Sequence, residues 1–304
     1  MTVLWLLFVV VGLGAAVLAS RKAVEHASTL AFGLKVPPFL IGLTLLAVGT
    51  DLPEIANSIV ASVSDHGDLN VGDSLGSTIT QVTLVLGLLP ILGRRSFTVG
   101  RDRVLMPALI IAFQLGVIAL LLQDGLFSRV DGAVLLVLWV GGSFLLWRSA
   151  PSPSAPAISV SSRRKSYNVA ATLLALGIVG AGATLAVFGL IELAEAFGLP
   201  EFIIAFFGTA IGTSLPELVV AVTAIRSGER DLAIGDIFGA SLLDSSLSIG
   251  IGPLIAPTVI TADLAVASAL TGAGALLVIA ALMTRFERHT PWTGLALIAL
   301  YAAF

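Results

Sequence analysis

The chain has 304 residues, of which 57% are hydrophobic and 12% charged, with a mean hydropathy of +1.04. That balance excludes a soluble globular domain, and the lack of strand-period alternation argues against a β-barrel, leaving an all-α polytopic membrane protein. With no cysteine, thiol chemistry, disulfides and Cys-ligated metals are excluded, while the net charge of −3 says less than where the charges fall.

In chain order, apolar runs predict ten spans, at about 3–20, 36–64, 71–92, 104–122, 131–148, 168–190, 200–226, 232–256, 263–284 and 291–303. The first run has no basic residue before it and Arg21-Lys22 after it, opposite to a secretory signal, so it reads as a retained span. The one long connection, 149–167, is rich in Pro, Ser and basic residues and reads as a cytoplasmic linker. It divides the chain into two five-helix repeats, 1–148 and 168–304. Fifteen of the 16 Lys and Arg residues fall in one alternating set of connections and only Arg129 in the other. This alternation supports the span count and places both termini outside the cytoplasm. His26, His66 and His289 fall in connections and read as surface residues, as do the outward-facing acids Asp65, Asp68, Glu192 and Glu195.

The second and seventh spans carry "GTDLPE" at 49–54 and "GTSLPE" at 212–217. Shifting the chain by 163 residues aligns 47–92 with 210–255 without a gap and gives 16 identities in 46 positions, concentrated on Gly, Pro and acids. The wider motif regions run over 39–92 and 202–255. An odd number of spans separates the copies, so the second enters the membrane from the opposite side. Inverted repeats with Gly- and Pro-interrupted helices are the architecture of secondary transporters.

Pro53 lacks an amide hydrogen and clashes with the preceding turn, so the helix must break near Gly49–Leu52. Broken backbone at membrane depth requires protein or water around it, and carbonyls near Ala47 and Val48 become ligands. Thr50, Asp51 and Glu54 project to one side of the following half-helix, and Thr213, Ser214 and Glu217 do so in the second copy. The next span adds Ser77 and Gln81, matched by Ala240 and Asp244, with Gly72, Gly76, Gly235 and Gly239 placed for close helix approach. Asp51, Glu54, Glu217 and Asp244 lie on core-depth segments that carry no Lys, Arg or His. Each acid costs roughly 2.5–3.5 kcal/mol at a helix centre on insertion scales, so bound cations or protons must compensate. The oxygen set suits Ca²⁺, Na⁺ or Mg²⁺ better than a soft transition metal.

At these residues the chain resembles the sodium/calcium exchanger (cation/Ca²⁺ antiporter) superfamily, whose two repeats carry G-T-S-x-P-E followed by a G-S-N-x-x-N/D segment. The resemblance covers both repeats and the ten-span layout. It implies ion-ligand roles for Thr50, Glu54, Ser77, Thr213, Ser214, Glu217 and Asp244, carbonyl ligands from Ala47 and Ala210, and Ca²⁺ coordination centred on Glu54 and Glu217. This sequence departs from the pattern at Asp51 in place of Ser, Gln81 in place of Asn or Asp, Ala240 in place of Ser, and Asp73 and Asp236 where Asn is frequent.

The expected activity is antiport of Ca²⁺ against Na⁺ or H⁺ by alternating access. The transported ions are the only ligands: no cofactor, enzymatic activity, nucleic acid or obligate protein partner is expected, and the setting is a prokaryotic cell membrane. Three alternatives stand beside it. Another cation, such as Mg²⁺ or a monovalent ion, would fit the same oxygens; an uncoupled channel would carry the same motif. "VGDSLG" and "IGDIFG" are similar to the Gly-Asp segment of intramembrane aspartyl proteases, but they lie in inverted copies without a Tyr-Asp partner. Asp51 has two readings, a ligand or proton carrier and an N-cap of the broken half-helix; Asp73 and Asp236 could join the site or sit at span starts, favoured by the helix dipole.

Overall fold

The computed structural model describes residues 2–149, 162–196 and 212–303. These form helices α1 (Thr2–Leu34), α2 (Pro38–Thr50), α3 (Leu52–Val63), α4 (Gly67–Leu92), α5 (Arg101–Leu121), α6 (Arg129–Ser149), α7 (Ser162–Ala196), α8 (Leu215–Ser227), α9 (Arg230–Ile255), α10 (Ala262–Arg285) and α11 (Pro291–Tyr301). Among the described residues, eight spans are long and apolar enough to cross a membrane when α2 and α3 count as one broken span, and α11 is a shorter apolar helix. The predicted seventh span overlaps α8, but its first residues, with Ala210, lie outside the described residues. Helix α1 runs well past the predicted end at Ser20, and α7 begins at Ser162, inside the predicted linker.

The internal repeat is written into the element boundaries. Leu52 and Leu215, the fourth residues of the two motifs, both begin a helix, and the ends of α4 and α9 correspond at the same offset of 163. Each of α4 and α9 opens into one turn of π-helix, Gln81–Val85 and Asp244–Ser248, again at corresponding positions. Such bulges mark places where a helix gives up regular hydrogen bonding to present its groups. The break around Pro53 also forms: α2 stops at Thr50, Asp51 is non-helical, and α3 starts at Leu52.

The chain separates into two compact units, one of residues 1–50 and 152–236, the other of residues 51–151 and 237–304. In the first, α1 packs along α7 at a small-residue seam, where a Cβ on Gly12 would come within 2.5 Å of the Gly182 carbonyl. Hydroxyls of Ser20 and Thr223 meet at 2.7 Å, and Ser28 donates to Glu229 at 2.7 Å, tying α1 to α8 and its C-terminal connection. Helices α2 and α9 touch backbone to backbone: a Cβ on Gly42 would strike the Leu232 carbonyl, and one on Gly235 the Phe39 carbonyl. Gly235 therefore does what its sequence position implied. For Gly72 and Gly76, a Cβ would meet no heavy atom within 4 Å among the described residues.

In the second unit, Pro90 and Pro253 lie inside helices and cannot donate to the carbonyls of Leu86 and Ile249, four residues earlier. Side chains from elsewhere in the unit replace the missing amides. His289 Nε2 donates to the Leu86 carbonyl at 2.9 Å, and Asn70 Nδ2 donates to the Ile249 carbonyl at 3.0 Å. His289 is thus a buried structural residue and not a surface one, its Nδ1 accepting from the Thr293 hydroxyl at 2.8 Å. Burial in these apolar surroundings lowers its pKa. His26, in the first unit, stands inside α1, within 3.1 Å of Asn168 Oδ1, whereas His66 is exposed as expected. Asp65 and Asp68 are exposed but engaged: Asp65 accepts from the Thr258 hydroxyl, and Asp68 from the Thr261 amide and hydroxyl. Two short antiparallel ribbons complete this unit, β1 (Phe97–Thr98) with β4 (Arg288–His289), and β2 (Leu126–Phe127) with β3 (Thr258–Val259).

Candidate cation-binding site

Each unit carries its own set of oxygen groups. In the second unit, Asp51, Glu54, Ser77, Gln81 and Asp244 are all buried. A carboxylate oxygen of Asp51 and one of Glu54 lie within 4.8 Å of each other, close enough for one cation to bridge them. Glu54 stands in the first turn of α3, where backbone N–H groups favour negative charge. Asp51 occupies the N-cap position, yet its side chain makes no capping bond; instead Oδ2 accepts from the Ser248 hydroxyl at 3.2 Å. The capping role is therefore corrected: this carboxylate turns toward the π turn of α9.

The two π turns of the unit are stitched through Gln81. Its Nε2 donates to Asp244 Oδ2 at 2.9 Å, and its Oε1 accepts from the Ser241 hydroxyl at 2.8 Å. Both ends of the amide are thus in use, which fixes its orientation and gives it a positioning role toward Asp244. Ser245 donates to Gln114 Oε1 at 2.8 Å, and Gln114 Nε2 donates to the Leu138 carbonyl at 3.2 Å. Ser241, Ser245, Ser248 and Gln114 belong to this polar layer, and sequence reasoning passed over them. The signal was present in "ASLLDSSLS", where serines recur three and four residues apart on one helical face around Asp244. Ala240, with no hydroxyl to offer, is buried beside them.

In the first unit, the Thr50 hydroxyl turns back to the carbonyls of Leu46 and Ala47, each at 3.2 Å. The Ala47 carbonyl named from sequence is thus engaged by Thr50. Ser214 and Glu217 are buried, and Thr213 is partly so. The Ser214 hydroxyl finds no hydrogen-bond partner among the described residues.

Asp73 and Asp236 diverge although they occupy equivalent positions. Neither is in the first turn of its helix, since α4 begins at Gly67 and α9 at Arg230. The helix-dipole role is corrected for both. Asp73, partly buried, accepts from Asn57 Nδ2 at 2.6 Å. Asp236 is fully buried, both its oxygens lack a hydrogen-bond partner among the described residues, and it lies within electrostatic reach of Glu217. A buried carboxylate with no donor calls for a cation or a proton.

Comparison with known proteins agrees with these motifs. The family model described as sodium/calcium exchanger protein matches residues 4–148 and 167–304. A putative antiporter, CaxA, from Alkalimonas amylolytica is 34% identical over 272 residues, covering 84% of this chain and 82% of its own. The inner membrane protein YrbG of Escherichia coli is 35% identical over 259 residues, covering 82% of this chain and 79% of its own. Among solved structures, the sodium-calcium exchanger NCX_Mj soaked with zero Na⁺ and Ca²⁺ superposes with a TM-score of 0.82 at 26% identity, covering 100% of this chain and 98% of that one.

Proposed function

The chain belongs to the sodium/calcium exchanger protein family, and we propose that it is a secondary-active antiporter exchanging Ca²⁺ for Na⁺ or H⁺ across a prokaryotic cell membrane. The family and fold are those of transporters. The observation that carries the reading is the pair Asp51 and Glu54, buried carboxylates whose oxygens lie within bridging distance, at a helix break whose sequence motif recurs in the second half of the chain. Hard oxygen ligands of this density match a dehydrated divalent cation. We place Glu54 and Glu217 at the centre of the transported ion's shell, with Thr50, Asp51, Ser77, Thr213, Ser214 and Asp244 around it, carbonyls from Ala47 and Ala210, and Asp236 as a further acid. Gln81 orients Asp244. Helices α1 and α7, joined along their small-residue seam, move as a pair to expose the ions to each side in turn.

The test is ⁴⁵Ca²⁺ uptake into proteoliposomes under imposed Na⁺, K⁺ or pH gradients. Uptake should follow one outward gradient and stop when it is collapsed. Ca²⁺ entry independent of every counter-gradient would identify a channel instead.

A further inference from the structure

The β1–β4 ribbon joins two connections that are far apart in sequence and both basic, pairing Thr98 with Arg288 and Phe97 with His289. It gathers the exposed arginines Arg94, Arg95, Arg101, Arg285 and Arg288 at one end of the second unit, with only Asp102 and Glu287 as exposed acids in the same segments. Beside the ribbon, between the last turn of α10 and the first turns of α11, lies a cavity of about 390 Å³. Its size is within the roughly 300–1,000 Å³ of small-molecule sites. The walls are apolar, including Met283, Ala296 and Leu297, while Glu287, Arg288, His289, Thr290 and Thr293 supply the polar lining and Arg285 directly precedes the lining residue Phe286. The groove lies where the two helices, which both touch α4, part toward their ends. Helix α11 presses against α4 where Gly294 meets the Gly87 carbonyl, while α10 lies along α5.

The depth of this cavity is set by the chain itself. Helix α10 ends at Arg285 and α11 starts at Pro291, so residues 286–290 mark the level at which the chain leaves hydrocarbon. Phe286 and Trp292 also line the cavity and are 54% and 81% exposed, as aromatic side chains at the headgroup level are. The Arg285 guanidinium sits 5.8 Å from the Phe286 ring centroid, held at the same level. A ligand filling this place needs an apolar tail for the walls and a negative head for the arginines. Basic pockets between membrane helices recognise lipids of that composition.

We propose that the cavity between α10 and α11 is a binding site for one anionic phospholipid, its acyl chain against Met283, Phe286 and Leu297 and its phosphate against Arg285 and Arg288. Occupancy couples α10 to α11 and thereby steadies α4, the helix that carries Ser77 and Gln81. The site does not depend on which cation the carboxylates carry, so its failure and the failure of the transport reading are separate results.

The test uses the full chain purified in a neutral detergent, with thermal unfolding and native mass spectrometry as readouts. Phosphatidylglycerol, phosphatidylcholine with the same acyl chains, and inorganic phosphate are added in separate arms. Phosphatidylglycerol should remain bound at one molecule per chain and raise Tm, while phosphatidylcholine and phosphate should do neither. The double variant Arg285→Gln/Arg288→Gln should retain phosphatidylglycerol roughly 10–30-fold more weakly. Ala296→Trp, which fills the groove while leaving the arginines, should also lose the Tm increment. Equal retention of both lipids, reproduction of the shift by phosphate alone, or undiminished retention in both variants would overturn the proposal.

Discussion

Asp51 shows what a single residue can decide. Where the family motif carries a hydroxyl, this chain places a buried carboxylate within 4.8 Å of Glu54, with Ser248 donating to it. Two adjacent carboxylates repel each other until a cation or a shared proton intervenes, and such groups titrate together. Ca²⁺ binding then competes with a proton, and with one proton displaced the apparent affinity changes by up to about tenfold per pH unit. Asp51→Ser should flatten this dependence, read as Ca²⁺-induced stabilisation of purified protein between about pH 5.5 and 8.5. The same slope in both proteins would remove Asp51 from the proton pathway. Asp236 makes a second test at this scale. Its carboxylate has no hydrogen-bond donor among the described residues, so Asp236→Asn should fold normally while reducing the Ca²⁺-induced rise in Tm. An unchanged rise would make Asp236 a structural residue only.

At the scale of the elements, helices are interrupted by proline and repaired by distant side chains. Asn70→Leu removes the donor to the Ile249 carbonyl and should cost about 1–3 kcal/mol, the penalty of an unsatisfied buried polar group, measured by chemical denaturation. His289→Gln retains a donor for the Leu86 carbonyl and should cost less than His289→Leu; equal losses would show that the hydrogen bond contributes nothing. The imidazole also gives a sign for pH. Its folded pKa is lowered, so the unfolded chain binds the proton more readily, and stability present at neutral pH is lost as pH falls below about 6.5. The His289→Gln variant should lack that part of the acid loss. The break at Pro53 and the repeat boundaries were legible in the sequence because proline chemistry and a fixed offset are local signals. The partners of Pro90 and Pro253 were not, since nothing in residues 86–90 announces a histidine two hundred positions away. Glycines divide the same way. Gly235→Ala should destabilise the protein more than Gly76→Ala, although both read alike in sequence, because among the described residues only the first faces another backbone. Comparable Tm values for the two variants would contradict that distinction.

For the whole molecule, orientation follows from charge. Labels at the N-terminus, residue 66 and the C-terminus should react from outside the cell and a label at residue 160 should not, as the distribution of Lys and Arg requires. Reaction of residues 66 and 160 from the same side would refute the inversion of the repeats. The membrane class and the repeat could be read from composition and spacing, and the four acids singled out there, Asp51, Glu54, Glu217 and Asp244, are all buried. The serine face around Asp244, and the lack of a hydrogen-bond donor to Asp236 among the described residues, depend on which helices meet, information that no local pattern holds. The central claim is that carboxylates from both repeats carry the transported ion. Its most direct measurement is counter-gradient-driven ⁴⁵Ca²⁺ uptake by wild type, Glu54→Gln and Glu217→Gln in matched proteoliposomes, with folding verified by monodisperse elution. Both variants should fall to the level of protein-free vesicles, because each removes a charge needed to offset a dehydrated divalent cation; substantial driven uptake by either would contradict the account.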